Sequence, residues 1–372
     1  MTDVGKQFVS IIRAAIGTGD VPSVFDWSAI WKLACRHRLE ALISQTVKDT
    51  PGIPDDIRKA MQRSVLTAIA KETKLDYAAK QIESALSSAN IPFAALKGLV
   101  LKNDYPASYM RYMSDLDYYI KPEDKTAIRR AMDGLGGKLI STDSGDEGYL
   151  LFDWVVVEFH GTLLYEKKRS VHPYAAWGFV DSSQKKLTEE GFALNLIGHA
   201  VFDLSGAGPG IRYVLDQWIY KNRHKPQPDW EAVNGRLMKD GIYKAASNIY
   251  GLAEYLFGEG EETPLYSEMA DYVLKSGLYG NMERKAASEA AQSGGRLKAA
   301  WRQVFRNRKE FENRYVWVKK HPYLLPAAWV LRGVQSVKTH AGEMKKWNKR
   351  ISGLSDEDVK KQKVLLEKFG IL

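Results

Sequence analysis

Apolar residues recur every three to four positions through residues 1–90, the spacing of a single buried helix face. Trp27, Ile30, Trp31, Ala34, Leu42 and Ile43 keep this register, and Asp26 stands where an N-cap belongs. A longer stripe starts near Pro54, with Ile57, Met61, Val65 and Ile69 in step and Ile82 and Leu86 near its end. The period then shortens. Residues 91–96 read as a buried strand followed by Lys97 and Gly98. Residues 112–120 alternate, with Leu116, Tyr118 and Ile120 on one face and Asp115 and Asp117 on the other. Residues 148–152 and 154–160 predict two further strands joined by a tight turn. In the second, Val155, Val157 and Phe159 share one face and Val156, Glu158 and His160 the opposite one. Helical spacing returns after Thr188, a fitting N-cap. Leu194, Ile197, Val201 and Leu204 face a core, Asn195, His199 and Asp203 recur four apart, and a second helix carries Arg212 and Asp216.

This pattern predicts an α+β protein, with a small mixed β-sheet between N-terminal and C-terminal helical regions. The expected divisions are an N-terminal helical region (1–90), a sheet-bearing core (91–180), a helical region closing a cleft (181–290) and a C-terminal helical segment (291–372).

The chemistry concentrates on the strands. Asp115 and Asp117 project side by side, and two like charges held that close call for a cation between them. Hard divalent ions favour such an oxygen pair together with substrate phosphates, which points to metal-dependent phosphoryl or nucleotidyl transfer. Glu158 is a lone acid in a strand otherwise made of Val, Phe and His. If that strand neighbours the Asp strand, Glu158 becomes a third metal ligand or the base for an acceptor hydroxyl. A glycine between strand and helix lets backbone approach a phosphate, and Lys97 adds a point charge.

The order Leu96-Lys97-Gly98, Tyr105, Arg111-Tyr112-Met113-Ser114-Asp115-Leu116-Asp117 and Val157-Glu158-Phe159-His160 resembles the uncharacterised bacterial nucleotidyltransferases of the DNA polymerase β-like superfamily. The resemblance runs from about residue 26 to about residue 332. It implies that Asp115, Asp117 and Glu158 form a catalytic triad holding Mg²⁺ or Mn²⁺. Lys97, Gly98, Ser114 and Arg111 then serve as nucleotide contacts. The implied donor is an NTP, ATP first, and the acceptor is left open. One departure is plain: Lys97-Gly98 stands where the superfamily carries Gly-Ser. Arg111 has a second reading as half of a salt bridge. His160, His199, Arg212 and Asp216 are the acceptor-side candidates, with a polar network between helices as the alternative for the last three. A non-catalytic nucleotide-binding protein acting through its C-terminal surface is the other functional class.

Composition narrows the setting. The chain has 45% apolar and 27% charged residues, as ordinary globular proteins do. A single cysteine, Cys35, excludes an internal disulfide and is expected buried and inert, and the seven histidines show no zinc spacing. No Walker-type or Gly-x-Ser-x-Gly motif is present. The start of the chain lacks a signal-peptide pattern, and the longest apolar run, 323–331, is too short to span a bilayer. The expected location is the cytoplasm, with peripheral contact at the inner membrane face left open.

Charge is uneven. Residues 281–372 carry 21 Lys+Arg against 9 Asp+Glu, a net of +12, whereas the whole chain is +9. Trp301, Phe305, Phe311, Tyr315, Trp317, Tyr323, Trp329 and Trp347 are interleaved there. The simplest expectation is a docked helical segment with inward aromatics and solvated lysines. Contact with anionic membrane is the next reading and nucleic acid a weaker one. The stretch from Ser355 is expected to be a loosely held helix.

Overall fold

Four helices form the N-terminal layer: α1 (Asp3–Ala15), α2 (Trp27–His37), α3 (Glu40–Val47) and α4 (Asp55–Ser88). The computed structural model describes residues 1–121, 124–143, 146–161, 180–181, 185–278, 280–305 and 316–372. Asp26 caps α2 as the sequence predicts, its Oδ1 accepting from the Ala29 amide at 2.8 Å. Ile30, Ala34, Leu42 and Ile43 are fully buried.

The long helix α4 departs from its predicted stripe. Ile57 and Met61 join the core of the N-terminal helices, and Leu75, Ile82 and Leu86 join the core beneath the sheet. Between them Ile69 is 41% exposed and Leu66 68%. The helix bridges two cores, and its middle passes over solvent, so helical periodicity there continues without a partner to bury it.

Seven strands make one mixed sheet among the described residues: β1 (Phe93–Ala95), β2 (Asp115–Ile120), β3 (Lys138–Asp143), β4 (Asp146–Leu151), β5 (Val155–His160), β6 (Val180–Asp181) and β7 (Lys186–Leu187). Their order is β3-β4-β5-β2-β1-β7-β6. Strand β2 runs parallel to β5 and antiparallel to β1. The tight turn between β4 and β5 spans Phe152, Asp153 and Trp154, between the paired Leu151 and Val155, with Phe152 and Asp153 both left-handed at φ 54° and 60°. Leu116, Tyr118, Val155, Val157 and Phe159 are buried on the face that α4 and α6 (Lys125–Gly134) cover, as their alternation requires.

Five helices follow the sheet: α7 (Glu189–Ser205), α8 (Ile211–Arg223), α9 (Trp230–Lys239), α10 (Tyr243–Phe257) and α11 (Pro264–Ser276). Thr188 caps α7, accepting from the Gly191 amide at 3.2 Å. Leu194, Ile197, Val201 and Leu204 pack into the larger core, which these helices share with α1–α3.

His37 ties the two helical regions together. It is fully buried, Nε2–H donates to the Leu274 carbonyl (3.1 Å), and Nδ1 accepts from the Ile211 amide (3.3 Å). One neutral tautomer satisfies both bonds. Burial holds its pKa down at about 4, well under the ordinary value of 6.5. The unfolded chain therefore takes up this proton first. Stability from His37 is fully present above pH 6.5 and is lost as pH falls toward 4, by roughly 3 kcal/mol. Denaturant midpoints measured between pH 4 and 7 are expected to fall more steeply for wild type than for His37→Asn. Parallel profiles would show that the imidazole does not titrate against folding.

The C-terminal segment contributes α12 (Met282–Ser293), α13 (Arg296–Val304), α14 (Val316–Lys320), α15 (Leu325–Gly353) and α16 (Asp356–Lys368). Phe311 and Tyr315 lie outside the described residues. The last helix is docked rather than loosely held. Ser355 and Asp358 form a capping box at its start, and Leu366 and Phe369 are fully buried at its end. Phe369 meets the Tyr272 ring edge-on at 5.3 Å.

Candidate active site

The register of β2 against β5 builds the site. Asp117 lies directly opposite Glu158, and Asp115 lies opposite Val156, so the three acids share one face of two neighbouring strands. Strand β1 lies on the other side of β2. Its exit is pinned where the Leu96 amide donates to the Asp117 carbonyl at 3.0 Å. Lys97 follows at φ 41°, ψ −108°, a conformation that side-chain-bearing residues rarely adopt and that costs on the order of 1–3 kcal/mol. The turn brings Lys97 Nζ to 2.9 Å from Asp117 Oδ1.

Gly98 is needed for contact rather than flexibility. A Cβ there would lie 2.4 Å from Arg111 Nη1 and 2.6 Å from Met113 Sδ. Gly98 opens helix α5 (Gly98–Leu101), a single short turn.

His160, the last residue of β5, donates from Nε2 to the same Asp117 oxygen at 2.7 Å and from Nδ1 to Asp146 Oδ2 at 3.2 Å. Burial alone would push this imidazole down. The hydrogen bonds to Asp117 and Asp146 overcome burial and hold it up at about 9, so it carries charge at neutral pH. Asp117 behaves oppositely. Burial would raise it, but the Lys97 charge and the His160 hydrogen bond hold it well below the usual carboxylate range. Asp115 and Glu158 are both raised, first by burial and then by the Asp117 charge. Ser114 Oγ donates to Asp115 Oδ1 at 3.0 Å.

Asp146 has no signal in the sequence, because an acid at the start of an edge hairpin looks like any turn residue. It supports His160, and its Oδ1 also accepts from the Gly161 amide at 3.0 Å.

These residues fit a hard divalent cation. Asp117 and Glu158 offer carboxylate oxygens within 4.8 Å of one another, with Asp115 next along the strand, while His160, donating from both ring nitrogens, orients Asp117 instead of offering a lone pair. Burial is the first cause of the upward shifts of Asp115 and Glu158, and the second is repulsion from the Asp117 charge, which a cation between them would relieve.

Helices α7 and α8 supply the remaining candidates. Arg111 forms a two-pronged, buried ion pair with Asp216, Nε to Oδ1 at 3.1 Å and Nη2 to Oδ2 at 2.8 Å. The Tyr105 hydroxyl donates to the same Oδ1 at 2.6 Å. Arg212 donates from Nη1 to the Tyr112 carbonyl, and its charge reaches Asp115. Its Nε is buried without a hydrogen-bond partner among the described residues. His199 stands farther along, with Nδ1 3.2 Å from Asp203 and its ring stacked on Tyr213 at 5.6 Å.

The loop carrying Arg111 also walls a cavity of about 250 Å³ between α2 and α4. Trp31, Cys35, Arg38, Lys71, Tyr112 and Met113 are among its lining residues. Lys71 and Arg38 both lie over the Tyr112 ring, at 4.1 and 5.2 Å. Burial, then the Glu40 charge, pushes the Cys35 thiol up to about 11, which keeps it protonated and unreactive.

A mixed sheet presenting three acids on adjacent strands, with a lysine from the preceding turn, defines a nucleotidyltransferase-type core. The chain belongs to the family described as uncharacterised nucleotidyltransferase, whose profile matches residues 23–258. The match begins before α2, takes in the whole acidic site and ends just past α10, short of residue 332. Comparison with curated proteins and with solved structures found no match.

Proposed function

We propose that the protein transfers a nucleoside monophosphate from an NTP, ATP first, to an acceptor hydroxyl, releasing pyrophosphate. The observation that carries this reading is the pairing of Asp117 with Glu158 across β2 and β5, with Asp115 on the same face. A divalent ion such as Mg²⁺ bound by Asp115, Asp117 and Glu158 supplies Lewis-acid charge neutralisation. Lys97 places a positive charge beside the phosphates, and the orphaned Arg212 Nε is a buried donor suited to a phosphate oxygen. Arg111 acts through Gly98, which it contacts, and so positions the turn. Ser114 orients Asp115, and His160 orients Asp117. Glu158, beside Asp117 on the neighbouring strand, is the residue assigned to take the acceptor's proton when it does not itself ligate the ion. The acceptor oxygen then bonds to the α-phosphorus as the bond to the β-phosphate oxygen breaks, and pyrophosphate departs.

The cavity lined by Tyr112 and Met113, two residues before Asp115, is the pocket we assign to part of the acceptor. The Lys97–Asp117 ion pair favours a second reading, a nucleotide-binding protein whose own lysine occupies the cation's place. Incubation with NTPs labelled at the α-phosphate, Mg²⁺ and cell extract tests both. A labelled product, identified by mass, that requires Asp117 supports transfer. Calorimetric binding of Mg-ATP without any label transfer supports the second reading. The absence of both removes the nucleotide from the function altogether.

A further inference from the structure

The C-terminal layer displays large apolar side chains in a strongly basic setting. On α13, Leu297 is 87% exposed and Trp301, one turn on, is 64% exposed. Phe305 packs against Trp301 with ring centroids 4.1 Å apart and meets Trp329 edge-on at 5.1 Å, which brings the end of α13 against the start of α15. Around that joint Tyr323 is 74% exposed and Val330 68%. Single exposed apolar residues are normal, whereas such a group on contacting elements marks an interaction surface.

We propose that this face docks the protein on a bilayer containing anionic phospholipid. Charge selects that partner. The described residues 296–305 and 316–332 contain six Lys+Arg and no Asp or Glu, and Lys298, Arg302 and Lys320 are exposed on the same elements. A second copy of the chain would bring like charges together, which opposes self-association through this face. Nucleic acid would satisfy the cations but has no use for the aliphatic Leu297 and Val330. An anionic interface takes both, lysine and arginine at the headgroups and tryptophan, tyrosine and leucine at the boundary with the acyl chains. No helix among the described residues is long and apolar enough to cross a membrane, so the contact is with the surface. The segment lies beyond the family-matched residues 23–258, and no acid-site residue comes from it. Docking is therefore separable from the chemistry at β2 and β5.

Flotation of the full-length protein with phosphatidylcholine vesicles, with and without phosphatidylglycerol, at physiological salt tests the proposal. The bound fraction is expected to rise at least about tenfold with the anionic lipid. Leu297→Ser/Trp301→Ser and, separately, Lys298→Glu/Arg302→Glu are each expected to lower it about tenfold. Trp301 also stacks on Phe305, so circular dichroism is used to confirm that the first pair is folded, whereas Lys298 and Arg302 are exposed and their pair tests the proposal independently of that packing. Equal binding to both vesicles, binding indifferent to both variants, or tight binding of a single-stranded oligonucleotide without vesicle binding would each overturn it. None of these readouts depends on nucleotidyl transfer.

Discussion

Asp216→Asn is expected to lower folding stability by roughly 3–5 kcal/mol, the usual effect of leaving one charge of a buried pair uncompensated. Asp216 is 1% exposed and accepts three hydrogen bonds, two from Arg111 and one from the Tyr105 hydroxyl. Asparagine keeps the shape but cannot neutralise the buried guanidinium. Arg111→Met is expected to lose a similar amount, and Arg111→Met/Asp216→Leu to regain most of it, because apolar replacement of a whole buried pair is often neutral. With Asp216→Leu as the matching single variant, urea denaturation of wild type, Arg111→Met, Asp216→Leu and the double variant gives the coupling directly. Single losses below about 1 kcal/mol would place the pair among weak surface bridges. The pair also joins α8 to the Lys97-Gly98 turn, since Arg111 Nη1 lies against Gly98. Turnover per folded molecule is therefore expected to fall in both single variants, which a purely structural pair would not produce.

Asp117→Asn has the larger effect on chemistry. Its carboxylate is the centre of the cluster, touched by Lys97 and His160 and set beside Glu158. Removing that charge is expected to lower nucleotidyl transfer by about 10²–10³-fold or more, the scale seen when one preorganised electrostatic contact is deleted. Glu158→Gln is expected to fall comparably, and the double variant little further, because residues that act as a unit are not additive. Rates from α-labelled NTP, normalised to folded protein by circular dichroism, decide it. Wild-type rates in Asp117→Asn would sink the assignment of this cluster as the reaction centre.

Much of this site was legible because strand alternation is a short-range rule. The face shared by Asp115 and Asp117 follows from a period of two, and so does the face shared by Glu158 and His160. The caps at Asp26 and Thr188 were equally local. Ile69 misled because periodicity reports which residues share a face, not whether a neighbour covers it. The tail after Ser355 misled for the converse reason. Leu366 and Phe369 are buried in the core that the helices on both sides of the sheet share, a neighbour that local sequence does not reveal. Asp146 was invisible because its role depends wholly on the position of His160.

By itself, then, the sequence determined the N-terminal helices, the acid-bearing strands and the first two helices after them, the acid pair, the glycine turn and the family resemblance, most of them properties of residues a few positions apart. Only the tertiary structure decided that β5 lies parallel to β2 with Glu158 opposite Asp117, a pairing of residues more than forty positions apart. It likewise decided that Asp216, on a distant helix, neutralises Arg111 beside Gly98. Periodicity orients a side chain relative to its own strand or helix. Which strand or helix stands next to it is chosen by the burial of the opposite face, and that requires the whole chain.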